Sequence, residues 1–415
     1  MNTEKKVIAS IAATILALSI YAEDSETVAT QAYRDLRWHD RETLFTGEAI
    51  EKIAPDSGFS PFAVWTGEGW SDVSRGSDIK TLFDTLITIG FEQNLSAIVG
   101  EGAGRIGASA FYYAQSSGGA LGGLDSSQGC FSNIVAGNMA RVFEIYYANE
   151  IETKFGNFGL RIGQLAADED FMGMDYSDVF LNSSLGAMPN VAPAQLFSQY
   201  NVATPGAVVY YSRENFSLML GIYNGNVGED ISSNNGFDYS NTFDTVALWY
   251  QLGYNYKIGG LEGRAMFGGN WHSDPSNVNF DKIDAGSFYS FYFGIQQDLV
   301  LDSDGNRLFG VFARLGIVPQ ANASDQNFYA DFGINWFGPI PGREGDIFAA
   351  AFSVIENERG ARESYSHYEG TLEITYQCRL TPAIVLQPDM QIFMNPGKGI
   401  SGAAYVVGAR VEVNF

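Results

Sequence analysis

Apolar and polar residues alternate along the last twelve residues of the chain, AYVVGARVEVNF. One side of this segment carries Tyr405, Val407, Ala409, Val411, Val413 and Phe415, and the other carries Val406, Gly408, Arg410, Glu412 and Asn414. Successive side chains of a strand point to opposite faces. The segment is therefore predicted to be a strand with one apolar and one mainly polar face.

The same alternation recurs through most of the chain, in segments of about nine to thirteen residues. In VALWYQLGYNY, for example, Leu248 and Tyr250 share the apolar face while Trp249 and Gln251 share the other. Sixteen strands are predicted, near residues 60–67, 81–93, 103–115, 140–152, 156–165, 206–213, 215–224, 244–257, 261–272, 286–299, 307–318, 327–337, 346–356, 367–380, 383–394 and 403–415. A tilted strand needs roughly nine to eleven residues to cross a bilayer, whereas soluble strands average about five or six. The apolar faces also end in Tyr, Phe or Trp, as the aromatic girdles of a membrane barrel require.

The links between these segments alternate in length. Tight links (FGN, RE, IGG and TP) follow the fourth, sixth, eighth and fourteenth strands, whereas long links occupy residues 116–139, 166–205 and 225–243. Short turns at one end and long loops at the other are typical of outer-membrane barrels with an even number of strands. The predicted fold is therefore all-β: a transmembrane antiparallel β-barrel of about sixteen strands. A soluble multi-sheet β protein, the alternative, does not explain the loop alternation, the long strands and the terminal aromatic residue together.

The first 22 residues have the pattern of a secretory signal peptide. Lys5 and Lys6 precede the apolar run VIASIAATILALSI, and the small residue Ala22 stands at the predicted cleavage point. An uncleaved anchor is the alternative, but the run is shorter than the roughly 20 residues of a spanning helix. The predicted organisation is a signal peptide (1–22), a short periplasmic segment that is partly disordered or helical (23–59) and a barrel (60–415). Export and the barrel pattern together predict a location in the bacterial outer membrane.

Composition then excludes several classes of function. The formal net charge is −24, and nucleic acid is excluded as a partner because phosphate binding needs a basic face. Three histidines and two cysteines leave little material for a metal site, so no cofactor or metal is predicted. Export permits a disulfide, yet Cys130 and Cys378 are predicted to be unpaired, because one falls in a long loop and the other on a lipid-facing side.

Two short motifs suggest other chemistry but fit it poorly. GAGRIG at 102–107 matches a dinucleotide-binding fingerprint, yet the following ASAFYYAQSSGG is strand-like where that motif needs a helix. DSDGN at 302–306 resembles part of a calcium loop, but it lacks the later ligands and falls in a predicted turn. No GxSxG motif occurs, and with so few histidines no catalytic triad stands out. The chain is not predicted to be an enzyme.

Two longer stretches resemble a known family. These are LQPDMQIFMNPGKG, followed by VVGARVEVNF, and the central FGLRIGQLAADEDFMGMDYSDVFLNSSLGAMP. The first of them carries Gln-Pro-Asp at 387–389, Asn-Pro-Gly at 395–397 and Gly-x-Arg at 408–410. Both stretches are similar to the carbohydrate-selective porins of the OprB type, and the resemblance covers roughly residues 45–415. FTGEAIEKIAPDSGF departs from the family pattern, because it has Ala49 at the position where members of the family usually have a Trp. The resemblance implies a sixteen-stranded barrel that passes sugars such as glucose across the outer membrane.

A barrel of this size would be an open tube unless a loop narrowed it. The acidic link at 166–205 is long enough to fold inward, and a solvated outer loop is the alternative. Positive charge that faces the acidic link is expected from wall residues that strand alternation places on the inner face. Aromatic side chains on the same face could stack on a sugar ring. The candidate pore-lining and sugar-contacting residues are Arg161, Glu144, Arg105, Asp168, Asp170, Asp175, Trp249, Arg264, Tyr292 and Arg314. Carboxylates and guanidiniums exchange hydrogen bonds with sugar hydroxyls, and each contact must be weak enough to release the solute.

These patterns predict a porin through which small, glucose-like carbohydrates diffuse passively. Two alternatives stay open: a general porin that favours cations, because an acidic lumen concentrates them, and a structural or surface-interaction barrel without sugar selectivity. The expected partners are small carbohydrates in transit and outer-membrane lipids. Association of barrels into a homo-oligomer is left open.

Overall fold

Sixteen β-strands contain most of the residues that the structure describes. The computed structural model describes residues 57–74, 80–116, 124, 126–127, 130–193, 196–227, 236, 243–274, 286–320, 323–358, 365–397 and 402–415. The strands are β1 (Phe59–Asp72), β2 (Lys80–Asn94), β3 (Arg105–Gln115), β4 (Met139–Thr153), β5 (Gly156–Leu165), β6 (Thr204–Arg213), β7 (Phe216–Asn224), β8 (Val246–Ile258), β9 (Leu261–His272), β10 (Phe288–Leu301), β11 (Arg307–Ile317), β12 (Gln326–Phe337), β13 (Ile347–Asn357), β14 (Tyr368–Thr381), β15 (Ile384–Met394) and β16 (Ala403–Asn414). The predicted signal peptide and almost all of the predicted segment 23–59 lie outside the described residues.

The strands form one closed antiparallel barrel. Each strand pairs with its neighbours in sequence, and β1 pairs with β16, from Val64 opposite Asn414 to Asp72 opposite Val406. Closure leaves no unpaired strand edge, because every strand is hydrogen-bonded on both sides. The predicted fold class is confirmed. The first strand was predicted too short, at 60–67, because its later part lacks apolar alternation and is held by pairing with both β2 and β16.

The two faces of each strand have different surroundings. On β16, Tyr405 and Val407 are 46% and 37% exposed, whereas Val406 between them is fully buried. On β8, Leu248 is 42% exposed and its neighbour Trp249 only 2%. The outer surface therefore carries exposed large apolar side chains around the barrel, which is the surface expected of a barrel that meets lipid.

Helical structure in the described residues is limited to single turns at Leu95–Ala97, Ala167–Glu169 and Ser183–Gly186. No helix in the described part of the chain is long and apolar enough to cross a membrane. GAGRIG leads into β3 and DSDGN forms the turn between β10 and β11, as predicted. Both cysteines are free, which confirms their prediction as unpaired thiols.

Candidate functional site

The described residues of the link between β5 and β6, 166–193 and 196–203, fold into the barrel, and we call them the constriction loop. Phe171, Phe180 and Phe197 of this loop are at most 2% exposed. Phe171 stacks on the wall residue Trp249 with ring centroids 5.5 Å apart, and Phe180 packs on Phe312 at 5.9 Å. The prediction that this link folds inward is confirmed, and the alternative of a solvated outer loop is wrong. The loop carries many apolar side chains, and burying them against the inner wall stabilises its position.

Arg314, a buried residue of β11, holds one end of a helical turn in the constriction loop. Its guanidinium contacts Asp331 at 2.6 Å and donates to the backbone carbonyl oxygens of Leu185 and Gly186 at 2.5 and 2.8 Å. These carbonyls lie at the end of the turn, where backbone acceptors lack intrahelical partners. The sequence predicted Arg314 as a pore-lining residue, and the structure places it beneath the loop.

Glu373 of β14 holds the start of the same helical turn. Its buried carboxylate accepts hydrogen bonds from the backbone N–H groups of Leu181 and Asn182 at 2.6 and 3.0 Å. The Asn182 side chain accepts from the N–H of Ser184 and donates to Gln391 of β15, each at 3.0 Å. Asn182 is thus a helix cap that is also fixed to the wall.

Arg161 on β5 is fully buried between two carboxylates. Its Nη2 contacts Glu144 of β4, and its Nη1 lies 3.1 Å from Asp170 of the constriction loop. The ring of Tyr146 lies 4.4 Å from the guanidinium carbon, and the Tyr223 hydroxyl donates to Asp170 at 3.2 Å. Three predicted site residues, Arg161, Glu144 and Asp170, therefore form one ion-paired cluster that ties the loop to the wall.

The wall is irregular where this cluster forms. The register of β3 and β4 shifts between Ala108 and Ala110, and the neighbouring Phe143 and Glu144 are both buried although they are adjacent in sequence. Such a bulge re-aims side chains that strict alternation would send to opposite faces. On the facing strand, Gly163 has a φ of +154°, and a Cβ there would lie 2.1 Å from a backbone carbonyl oxygen of β4. Only glycine permits this close approach.

Residues 130–138, part of the link between β3 and β4, also enter the barrel, and we call them the second loop. Phe131 and Ile134 are 4% and 5% exposed, and Ser132 donates to Glu68 of β1 at 2.6 Å. The N–H of Cys130 donates to the Ser183 hydroxyl at 2.8 Å, which joins the second loop to the constriction loop. The sequence analysis missed this inward fold, although the apolar residues in CFSNIVAGN were an available signal.

An open cleft remains inside the barrel against β1–β4, with about 540 Å³ of space that includes open solvent. Its lining includes the rings of Phe62, Phe111, Tyr146 and Tyr200 and the carboxylates of Glu92, Glu144 and Glu169. Strand alternation places Glu92 inward, but the sequence analysis did not single it out. Phe62 was missed because the first strand was the least clearly patterned.

Arg105 lies beside this cleft, as its inward alternation on β3 predicted. Its Nε is 3.4 Å from Glu92, and its Nη1 is 3.8 Å from Glu150 of β4. The side chains of Arg105, Glu92 and Glu150 are 25%, 19% and 24% exposed, so these charges remain accessible to a solute. The partly exposed pairs differ in this respect from the buried Arg161 cluster.

The other predicted site residues lie away from the cleft. Trp249 and Tyr292 face inward but are 2% and 1% exposed, because the constriction loop covers them. Asp175 of the loop is 3.5 Å from Arg307. Arg264 faces inward on β9 and is half-buried, and the described residues offer it no ion pair. Strand alternation predicted the direction of these wall side chains but not which of them the loop would cover.

Asp168 joins the two ends of the constriction loop. Its carboxylate accepts the backbone N–H of Tyr200, with both oxygens at 2.9 Å. Burial, and next the charge of the adjacent Glu169, raise the pKa of Asp168 to about 7, although the Tyr200 N–H acts in the opposite direction. Asp168 therefore exchanges its proton near neutral pH.

Comparison with known proteins gives one family and one architecture. The family model described as "Carbohydrate-selective porin, OprB family" matches residues 83–415. A high-pH structure of Pseudomonas putida OprB superposes with a TM-score of 0.78 at 16% identity, covering 91% of this chain and 99% of that chain. The low-pH structure of the same protein gives a TM-score of 0.59 at 13% identity, covering 90% and 99%.

A triple mutant of the Rhodopseudomonas blastica porin gives a TM-score of 0.50 at 11% identity, covering 86% of this chain and 100% of that chain. At these identities the likenesses establish the barrel fold. Among proteins with curated descriptions, none matches the chain.

Proposed function

Because the chain belongs to the OprB family of carbohydrate-selective porins, we propose that it forms an outer-membrane channel through which small, glucose-like sugars diffuse passively. The family match spans residues 83–415, which include all of β3–β16 and nearly all of β2. The family consists of channels, and no catalytic role is proposed for this chain. The exposed apolar outer surface supports contact with outer-membrane lipids.

The observation that carries the proposal is the cleft beside the constriction loop. Aromatic rings of Phe62 and Tyr146 offer flat apolar surface, and Arg105 with Glu92 offers hydrogen-bond donors and acceptors. A sugar presents hydroxyl groups that donate and accept, above a ring face that can lie on an aromatic side chain. Partly exposed groups on one side of an open cleft hold a solute weakly, which is what passage requires.

The other predicted site residues are proposed to act indirectly. Arg161, Glu144 and Asp170 fix the base of the constriction loop, and Arg314 fixes its helical turn. Their role is to keep the channel narrow, because a loop that left the wall would open a wider tube. Trp249 and Tyr292 supply the apolar floor on which the loop rests.

A general porin that favours cations is the second candidate. It is supported by the carboxylates of Glu92, Glu144 and Glu169 in the cleft lining. Liposome swelling distinguishes the two. Osmotically matched glucose, a disaccharide, a neutral amino acid and a gluconate salt are compared on refolded protein. Glucose entering well ahead of the others supports the sugar channel, and equal entry of all small solutes supports the general porin.

A pair of tryptophan variants tests whether the cleft is the path. Ser109 lines the cleft, and a Trp there (Ser109→Trp) should fill it and reduce glucose flux about tenfold. Ala110→Trp places the same side chain on the next residue of β3 and should leave flux unchanged. Equal flux in both folded variants would place the path elsewhere, and no flux in the wild-type barrel would refute the channel.

A further inference from the structure

The charged groups that line the cleft are all acidic. Glu92, Glu144 and Glu169 contribute to its surface, and none of the described residues that line it is a lysine or an arginine. Glu169 is exposed on the constriction loop, and Glu92 is 19% exposed on the wall. A solute in the cleft therefore meets carboxylates from both the loop and the wall.

The arginines near the cleft do not balance this charge. Arg105 lies between Glu92 and Glu150, and Arg161 lies between Glu144 and Asp170. With Glu169, five carboxylates stand against these two guanidiniums and that of Arg141, which also faces inward on β4, so the acidic groups are in excess.

We infer that the cleft selects cationic sugars: amino sugars in which a protonated amine replaces a hydroxyl. This inference rests on the proposed function and specifies the substrate class of the same site. An ammonium donates three hydrogen bonds and carries a positive charge, whereas a carboxylate only accepts, so the two are complementary. A neutral sugar gains the hydrogen bonds without the charge, and a sugar acid is repelled.

The aromatic lining favours the same ligand. Phe62 and Tyr146 border the same space as Glu92 and Glu169. An aromatic ring face is electron-rich and attracts a nearby cation. A pyranose with one ammonium group could place its apolar face on a ring and its charge near a carboxylate. Charge focused in a cleft raises the local concentration of the oppositely charged solute about tenfold or more.

Glucose and glucosamine are suitable probes because they differ only at one substituent. Liposomes that contain the refolded protein are loaded with labelled glucose, glucosamine or gluconate at about pH 6, where a primary amine is protonated. Efflux is measured with the same salt on both sides, so that small ions balance the charge. Glucosamine should leave about tenfold faster than glucose, and gluconate more slowly than glucose.

Variants of two glutamates assign the preference to the cleft. Glu169→Gln combined with Glu92→Gln keeps the size of both side chains and should bring glucosamine efflux close to that of glucose. Glu214→Gln, at the turn between β6 and β7 where the side chain is 85% exposed, is the matched control and should retain the preference. Heat-dependent gel mobility of each variant confirms that its barrel has folded.

The outcomes separate the inference from the function on which it rests. Efflux of glucose with no advantage for glucosamine would overturn the inference and leave the sugar channel standing. A glucosamine advantage that survives in the double variant would also overturn the inference, because the charges that cause the preference would then lie outside the cleft. Failure of every sugar to pass a folded barrel would refute the proposed function itself.

Discussion

At the scale of single residues, Arg161 stands out because it is fully buried and compensates two buried carboxylates. A buried charge that loses its partner typically costs about 3–5 kcal/mol. Replacing Arg161 with Met should therefore leave Glu144 and Asp170 uncompensated and free the base of the constriction loop. We expect a larger single-channel conductance with more open-channel noise in planar bilayers.

Arg213→Met is the matched control for this substitution. Arg213 lies at an exposed turn, with its side chain 56% exposed and 3.9 Å from Glu214. Exposed ion pairs contribute about 0–1 kcal/mol, so its loss should leave conductance unchanged. Equal conductance in both variants and the wild type would show that the Arg161 cluster does not hold the loop.

The direction of individual side chains could be predicted from sequence far better than their accessibility. Alternation correctly placed Arg105, Arg161, Trp249 and Arg314 on the inner face, because a strand repeats every two residues. Of these four, only Arg105 is partly exposed beside the open cleft. Which inward residues are covered depends on the path of a loop whose sequence has no regular period, so no local pattern encodes it.

At the scale of structural elements, the position of the constriction loop is expected to depend on pH through Asp168. The pKa of Asp168 is raised to about 7 in the docked loop, above an ordinary value of about 3.9. The docked state therefore binds the proton more tightly than the undocked state. The contribution of Asp168 to docking should be largest below about pH 4, decline as the pH rises to about 7, and change little above that.

Asp168→Asn tests this pH dependence. The amide keeps an acceptor for the Tyr200 N–H but cannot titrate, so loop opening in this variant should vary less between about pH 4 and pH 7. Opening is measured by the rate of protease cleavage within the constriction loop. Asp304→Asn, in the exposed turn between β10 and β11, should behave as the wild type. An identical pH profile of cleavage in Asp168→Asn and the wild type would show that Asp168 does not cause the pH dependence of loop opening.

The elements themselves were predictable to different degrees. All sixteen strands were predicted from alternation, and the inward fold of the constriction loop was predicted from its length. The second loop was not, because its contacts with Glu68 and Ser183 come from residues distant in sequence. The bulge that turns both Phe143 and Glu144 inward also breaks the period on which strand prediction depends.

At the scale of the whole molecule, the dominant property is charge. The chain has a formal net charge of −24, and the described lining of the cleft is acidic without basic residues. The channel should therefore conduct K⁺ better than Cl⁻. The preference should decline as salt rises from about 0.1 M to about 1 M, because the screening length falls from roughly 10 Å to roughly 3 Å.

Zero-current potentials across planar bilayers measure this preference directly. A KCl gradient imposed in either direction should give potentials of opposite sign and similar size, which serves as the internal control. A preference for Cl⁻ at low salt would contradict the acidic channel. A preference independent of salt would place the selecting charges where screening ions do not reach them.

The core between the constriction loop and the wall should give the channel a temperature dependence of its own. Phe171, Phe197 and Trp249 pack there as side chains do inside a water-soluble protein, although the space around them is the inside of a pore. Hydrophobic burial weakens on cooling, whereas the wall is closed by backbone hydrogen bonds between paired strands. Cooling should therefore loosen the loop before it disturbs the wall. The width of the channel would then change with temperature because a core of a few aromatic rings holds the loop in place.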